Sequence, residues 1–252
     1  MIQPWHLPLL FATGLVAGFV DAIAGGGGLI TLPVLLGLGF SPQAALGTNK
    51  LQATFGSGSA AWHYARAKTV AWRECGRGFA FAFLGAAAGT LSVQRVNPSF
   101  LKQVIPFLLI AVALYTLFKP RLGAEDIQPR VSRSWFDVWA GLLLGFYDGF
   151  FGPGTGTFWA MACMLFLGLN MTRATGYTKV MNFASNSSSL IFFLVAGQAY
   201  FAAGLTMGAG QLVGARFGSR MVIAKGTKFI RPIFITVVLA ITAKLIYNNS
   251  GL

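Results

Sequence analysis

Residues 14–28 read GLVAGFVDAIAGGGG and residues 141–156 read GLLLGFYDGFFGPGTG. Gly14, Gly18, Asp21 and Gly25 of the first stretch match Gly141, Gly145, Asp148 and Gly152 of the second at a constant offset of 127. Further along, Gly47-Thr48-Asn49-Lys50 matches Gly176-Tyr177-Thr178-Lys179 at an offset of 129, and Pro106 matches Pro232 at 126. Glycine coincidences are cheap in a glycine-rich chain, but Asp, Lys and Pro aligned in the same order mark an internal duplication. The chain reads as two transmembrane repeats, 1–127 and 128–252.

Composition says what kind of medium surrounds these repeats. Of 252 residues, 55% are hydrophobic and only 10% charged, against about 25% charged in a soluble domain. The mean hydropathy is +0.66. Too few charges are present to solvate a globule of this size, which excludes a soluble enzyme and a disordered chain. The apolar stretches are long runs rather than alternating strands, which argues against a β-barrel. An all-α polytopic membrane protein remains. The net charge of +13 is then loop charge of the positive-inside kind and not a nucleic-acid footprint. Cys75 and Cys163 form no disulfide or metal pattern, and His6 and His63 are too far apart to hold a metal. No cofactor is expected, and without a basic n-region no cleavable signal peptide is read.

The hydropathic segments are 7–24, 28–40, 43–64, 78–94 and 100–118, then a polar linker 119–134, then 136–151, 155–169, 174–196, 202–218 and 230–247. Gly25-Gly26-Gly27-Gly28 and Gly152-Pro153-Gly154-Thr155-Gly156 break the first run of each half. Charge chooses between topologies. With ten segments and the N-terminus outside, fourteen Lys and Arg fall in the inner loops (65–77, 119–135, 170–173, 216–231), and only Arg95 and Lys102 fall outside. With eight simple spans there is no bias at all. Five segments is an odd number, so the expected fold is two inverted repeats of about five helical segments each, with glycine-broken helices near the midplane. The short second segment of each half either spans or is re-entrant.

Ionisable groups inside a membrane are costly and point to function. Asp21, Lys50, Asp148 and Lys179 form two repeat-related Asp/Lys sets. A helix restarting after Gly25–Gly28, or after Gly152, Gly154, Thr155 and Gly156, offers N–H groups and the positive end of its dipole to an anion. Lys50 and Lys179 add charge, and Asn49 and Asn182 add hydrogen-bond donors. Asp21 and Asp148 either carry a coupling proton or form ion pairs within each half, Asp21 with Lys50 and Asp148 with Lys179. His63, with Ser57 and Ser59, has no orienting acid and no nucleophile elbow, so no catalytic residue is assigned. Direct ATP coupling is excluded by the lack of a GxxxxGK[ST] motif.

The strings GFYDGFFGPGTGTFW at 145–159, GLVAGFVDAIAGGGGLITLPVLL at 14–36 and ALGTNKLQA at 45–53 resemble the sulfite exporter TauE/SafE family, also called toluene-sulfonate uptake permeases, and most of all its YfcA-type branch. The resemblance covers the whole chain. It implies a secondary transporter that moves sulfite, sulfonates or related organosulfur anions across the bacterial inner membrane. Such substrates are small tetrahedral or pyramidal oxyanions. A passive anion channel and a membrane assembly factor are the alternatives.

Overall fold

A computed structural model describes residues 3–117 and 125–225. Among them are nine helices and no strands: α1 (His6–Ala24), α2 (Gly27–Gly37), α3 (Pro42–Arg66), α4 (Trp72–Gln94), α5 (Pro98–Leu117), α6 (Arg133–Phe150), α7 (Thr155–Phe166), α8 (Met171–Val195) and α9 (Phe201–Lys225). The expected segment at 230–247 lies outside the described residues. Two boundaries are corrected. The fourth helix starts at Trp72 rather than 78, and the ninth runs to Lys225 rather than 218. Charged residues at a membrane surface do not stop a helix. They only leave the apolar window that located it.

Local chemistry sets the ends. Ser41 accepts from the Ala44 N–H before α3, Ser132 from the Trp135 N–H before α6, and Asn170 from the Arg173 N–H before α8. Each satisfies one of the orphan donors of a helix start. Gly25 ends α1 in the left-handed region (φ 76°), where a side chain would be strained. At about 1.5 Å per residue, α3, α8 and α9 with 25 residues exceed the roughly 30 Å of a bilayer core. The 11 residues of α2 and the 12 of α7 reach about half of it. On hydropathy alone α1 and α4 qualify as spans, with means of 1.6 and 1.2. The central helices α3 and α8 are more polar because they are surrounded by protein.

Contacts fix the helix directions. Gly14 and Gly18 of α1 lie against Met207 and Gln211, so α1 and α9 run parallel. Leu51 and Phe55 of α3 meet Gly204 and Gly208, so α3 is parallel to α9 as well. On the other side Phe81, Ala82 and Ala86 of α4 meet Gly141, Gly145 and Gly149 of α6 in the same sense. Ser188 of α8 donates to the Phe83 carbonyl, and Gln94 donates to that of Phe192, making α8 parallel to α4. The two groups oppose each other, because α3 and α8 are antiparallel: Gly47 lies by Phe193, Ser57 by Asn186 and Tyr64 by Gly176. Since α1 and α3 point the same way, α2 must return the chain between them. The same holds for α7 between α6 and α8.

The contacts within each group are backbone-close. Gly141, Gly145 and Gly149 recur every four residues on α6, as do Gly210, Gly214 and Gly218 on α9. This is the small-residue stripe by which membrane helices approach each other. A Cβ on Gly145 would stand 2.5 Å from the Ala82 carbonyl oxygen. Gly145→Ala should therefore push α6 off α4 and destabilise the protein by about 1–3 kcal/mol. Thermal unfolding in detergent reads this, and an unchanged midpoint would mean the two backbones are not in contact.

The described part of the linker is tied to the α7–α8 turn. Ile127 N–H donates to the Gly168 carbonyl and Arg130 N–H to that of Phe166. Asp126 accepts from the Asn170 N–H (2.6 Å) and the Arg173 guanidinium (2.8 Å), and these donors hold its carboxyl below the usual carboxylate range. Its contribution to stability is present above the unfolded pKa of about 3.9 and disappears as pH falls through the lower folded value. Asp126→Asn should lower the unfolding temperature at neutral pH and match the parent in strong acid. Melting curves across pH test the sign.

Candidate functional site

The two glycine breaks meet. Gly25 and Gly156 pack backbone to backbone, and the Thr157 hydroxyl donates to the Gly25 carbonyl at 3.3 Å. Gly28 lies against Pro153. A side chain at Gly25 or Gly156 would collide with the other half. Around this junction lies a cavity of about 30 Å³, lined by Asp21, Gly25, Gly27, Gly28, Asn49, Asp148, Gly152, Gly154, Thr155, Gly156 and Asn182. Of the residues singled out from sequence, only Gly26, Lys50 and Lys179 do not line it. Gly26 is the N-cap of α2, and the lysines stand just behind the acids.

The ion pairs are not those expected. Lys50 does not pair with Asp21, nor Lys179 with Asp148. Lys50 Nζ donates to Asp148 Oδ1 at 2.7 Å, and Lys179 Nζ to Asp21 Oδ2 at 2.8 Å. Both pairs cross from one half to the other. The reason is geometric: α3 packs antiparallel on α8, so the lysine on each of these two helices reaches the break of the opposite half. Lys50 and Lys179 are 1% and 0% exposed. Burying an ammonium at this depth requires a carboxylate beside it.

Each acid also serves the break next to it. Asp21 Oδ1 accepts the Gly27 N–H, the first of α2, at 3.2 Å. Asp148 accepts from the Thr155 hydroxyl at the start of α7 (3.3 Å) and from the Ser185 hydroxyl. Asn186 Oδ1 takes a second bond from Lys50 at 3.2 Å. The protein's own carboxylates therefore stand at the helix starts where an external anion was expected. Asn49 Oδ1 accepts from Thr31 (2.5 Å) and Gln52 (2.8 Å), which fixes its side chain. Gln52 Oε1 and Asn182 Oδ1 are buried with no hydrogen-bond partner among the described residues. Both residues line the cavity.

The sequence reading missed Gln211 of α9, which is 2% exposed and lines the same cavity, with its amide against Gly18 and Gly56. A lone Gln in a glycine-rich helix was the available signal. It also missed Asp137, 2% exposed, which accepts from the Tyr177 hydroxyl at 2.6 Å and lies 3.4 Å from Arg133 Nε. The Arg133–Asp137 spacing of four was its sign. His63 Nδ1 is 2.7 Å from the Ser59 carbonyl oxygen, and Cys75 and Cys163 are buried free thiols. Among the described residues no group of His, Cys, Asp or Glu could hold a metal.

A helical bundle with broken helices, apolar outer faces and a buried charged centre is what an α-helical membrane protein calls for. The sulfite exporter TauE/SafE family matches residues 10–245, and the chain belongs to that family, a family of membrane transporters and not of enzymes. A probable membrane transporter protein of Haemophilus influenzae is 46% identical, covering 96% of this chain and 95% of that one. Probable membrane transporter protein YfcA of Escherichia coli K12 is 44% identical, covering 100% and 93%. Probable membrane transporter protein YunE of Bacillus subtilis is 25% identical, covering 96% and 97%. No solved structure matches.

The crossed pairing is open to a direct test. Lys50→Gln strands a buried Asp148 carboxylate and should cost about 3–5 kcal/mol. Adding Asp148→Asn should recover most of that loss, whereas adding Asp21→Asn should not. A double-mutant cycle on unfolding temperature that couples Lys50 to Asp21 instead would refute the pairing.

Proposed function

We propose that the chain is a secondary transporter of small oxyanions, among them sulfite, sulfonates or other organosulfur anions, working by alternating access across the bacterial inner membrane. The two halves, 1–127 and 128–252, act as inverted repeats. The opposed directions of α3 and α8, and the return of the chain by α2 and α7, support this reading. The crossed pairs Lys50–Asp148 and Lys179–Asp21, set where the two glycine breaks meet, are the observation that carries it.

The charges explain how the site would work. Empty, the four groups sum to zero. An anion that entered alone would place an uncompensated charge in a low-dielectric core. An anion that entered with one proton would keep the site neutral: the proton converts Asp21 or Asp148 to the acid, and the released lysine turns to the anion. Coupled entry of a proton and an anion is therefore the cheap path. Gly25, Gly27, Gly28, Gly152, Gly154 and Gly156 let backbone come close to the ligand, and Thr155, Asn49 and Asn182 offer hydrogen bonds.

The central cavity, at about 30 Å³, has room for water and none for a tetrahedral oxyanion. Loading then requires the halves to move, which favours a carrier over a passive pore. The residues Arg66, Lys68, Arg73, Arg77, Arg133 and Arg173 gather at one end of the bundle, and Arg95 and Lys102 at the other. The crowded end faces the cytoplasm.

Uptake of labelled sulfite or methanesulfonate into proteoliposomes tests the reading. It should saturate with concentration and accelerate when a pH gradient drives protons in the same direction. Uptake linear in concentration and blind to the gradient would establish a channel. Asp21→Asn with Lys179→Gln should stay folded and lose most of the gradient-driven rate.

A further inference from the structure

A larger cavity, about 160 Å³, lies at the charged end of the bundle, lined by Lys68, Ala71, Glu74, Arg133, Arg173 and Tyr177 among others. We propose that it is a second oxyanion site, separate from the central one, which binds a sulfate- or phosphate-like head with room for a small organic substituent. Cavities of about 150 Å³ hold a body the size of benzene, so the volume suits that class.

Three cations converge there from three elements: Lys68 from the α3–α4 turn, Arg133 from the start of α6 and Arg173 from the first turn of α8. Glu74 is the carboxylate that lines it, 3.9 Å from Arg133 and mostly exposed. Arg133 stacks over the Tyr177 ring at 4.7 Å. Its Nε is buried and makes no hydrogen bond among the described residues. Asp137, which accepts the Tyr177 hydroxyl, forms an ion pair with that nitrogen at 3.4 Å. Arg173 gives one nitrogen to Asp126 at 2.8 Å and keeps further donors.

Lys68 is the independent sign. It sits at φ 57°, and among the described residues no other non-glycine has a positive φ. It closes α3 in a Schellman turn, with Lys68 N–H on the Ala65 carbonyl and Thr69 N–H on that of Tyr64. Glycine is the usual residue at this position. A lysine is held there against backbone strain, at the rim of a cationic cavity, and its ammonium has no ion-pair partner among the described residues. Strain kept at a site is a mark of use. Beside it, Ala71, the N-cap of α4, lines the cavity and provides no side-chain cap, which puts the positive end of that helix at the cavity.

The proposal does not rest on the central site, and the test separates them. Titration calorimetry of the purified protein with sodium sulfate, against sodium chloride of equal ionic strength, is expected to show sulfate binding. Lys68→Gly should raise the unfolding temperature by removing strain, and yet weaken sulfate binding about fivefold. Arg173→Gln should weaken it by a similar factor, and the two together by about 20-fold. The central double variant Lys50→Gln with Asp148→Asn should keep a sulfate site that Lys68→Gly and Arg173→Gln still weaken, whatever sulfate the central site itself takes up. Absence of sulfate binding overturns the proposal. So does parental affinity in both Lys68→Gly and Arg173→Gln, or loss of binding confined to the central variant.

Discussion

Two lysine ammonium groups buried in an apolar bundle are the constraint to which the rest of the architecture answers. Neither Lys50 nor Lys179 could be charged there alone, because desolvation of an isolated ammonium costs more than any domain can spare. Each is therefore matched to a carboxylate, and each carboxylate must be delivered to the bundle centre. The broken runs do this. Because α1 ends at Gly25 and α6 near Gly152, Asp21 and Asp148 come within one turn of a helix end in the middle of the protein. The returns α2 and α7 then close over them. Since the pairs cross, neither half has its lysine neutralised until the other is in place.

The helix breaks and the four buried charged residues were legible in the sequence because each leaves a local mark there. The partners of the charges were not. Asp21 and Lys50 are near in sequence and belong to one half, which made their pairing the natural expectation. Partner choice depends instead on α3 lying antiparallel to α8, a relation between residues 98 to 158 positions apart. No periodicity in either helix encodes that. The glycines of α1 and α6 had a double meaning. Read as repeat markers, Gly14, Gly18, Gly141 and Gly145 align the halves. In space they are also the seats on which α9 and α4 lie.

The same logic explains why hydropathy located α3 and α8 but said little of their role. Both are central helices whose neighbours are other helices. Thr48, Asn49, Gln52, Thr178, Asn182, Ser185 and Asn186 are buried on them, and protein partners hold most of their polar atoms, while Gln52 Oε1 and Asn182 Oδ1 are left to the central cavity. Gln211 reaches the same centre from α9, and its meaning appears only once α9 is placed between α1 and α3.

The two halves are similar but not equal, and the inequality has an energetic direction. Asp148 holds three side-chain donors, Lys50, Thr155 and Ser185, and its side chain is 5% exposed. Asp21 holds Lys179 and one backbone N–H, and its side chain is 22% exposed. Separating an ion pair costs the hydrogen bonds it breaks and the desolvation of the charges it strands. Both are smaller at Asp21, where fewer bonds are lost and solvent can reach the carboxylate. The Asp21–Lys179 pair is thus the cheaper of the two to open, and Lys50–Asp148, braced by Asn186 and Ser185, is the one that holds the closed bundle together.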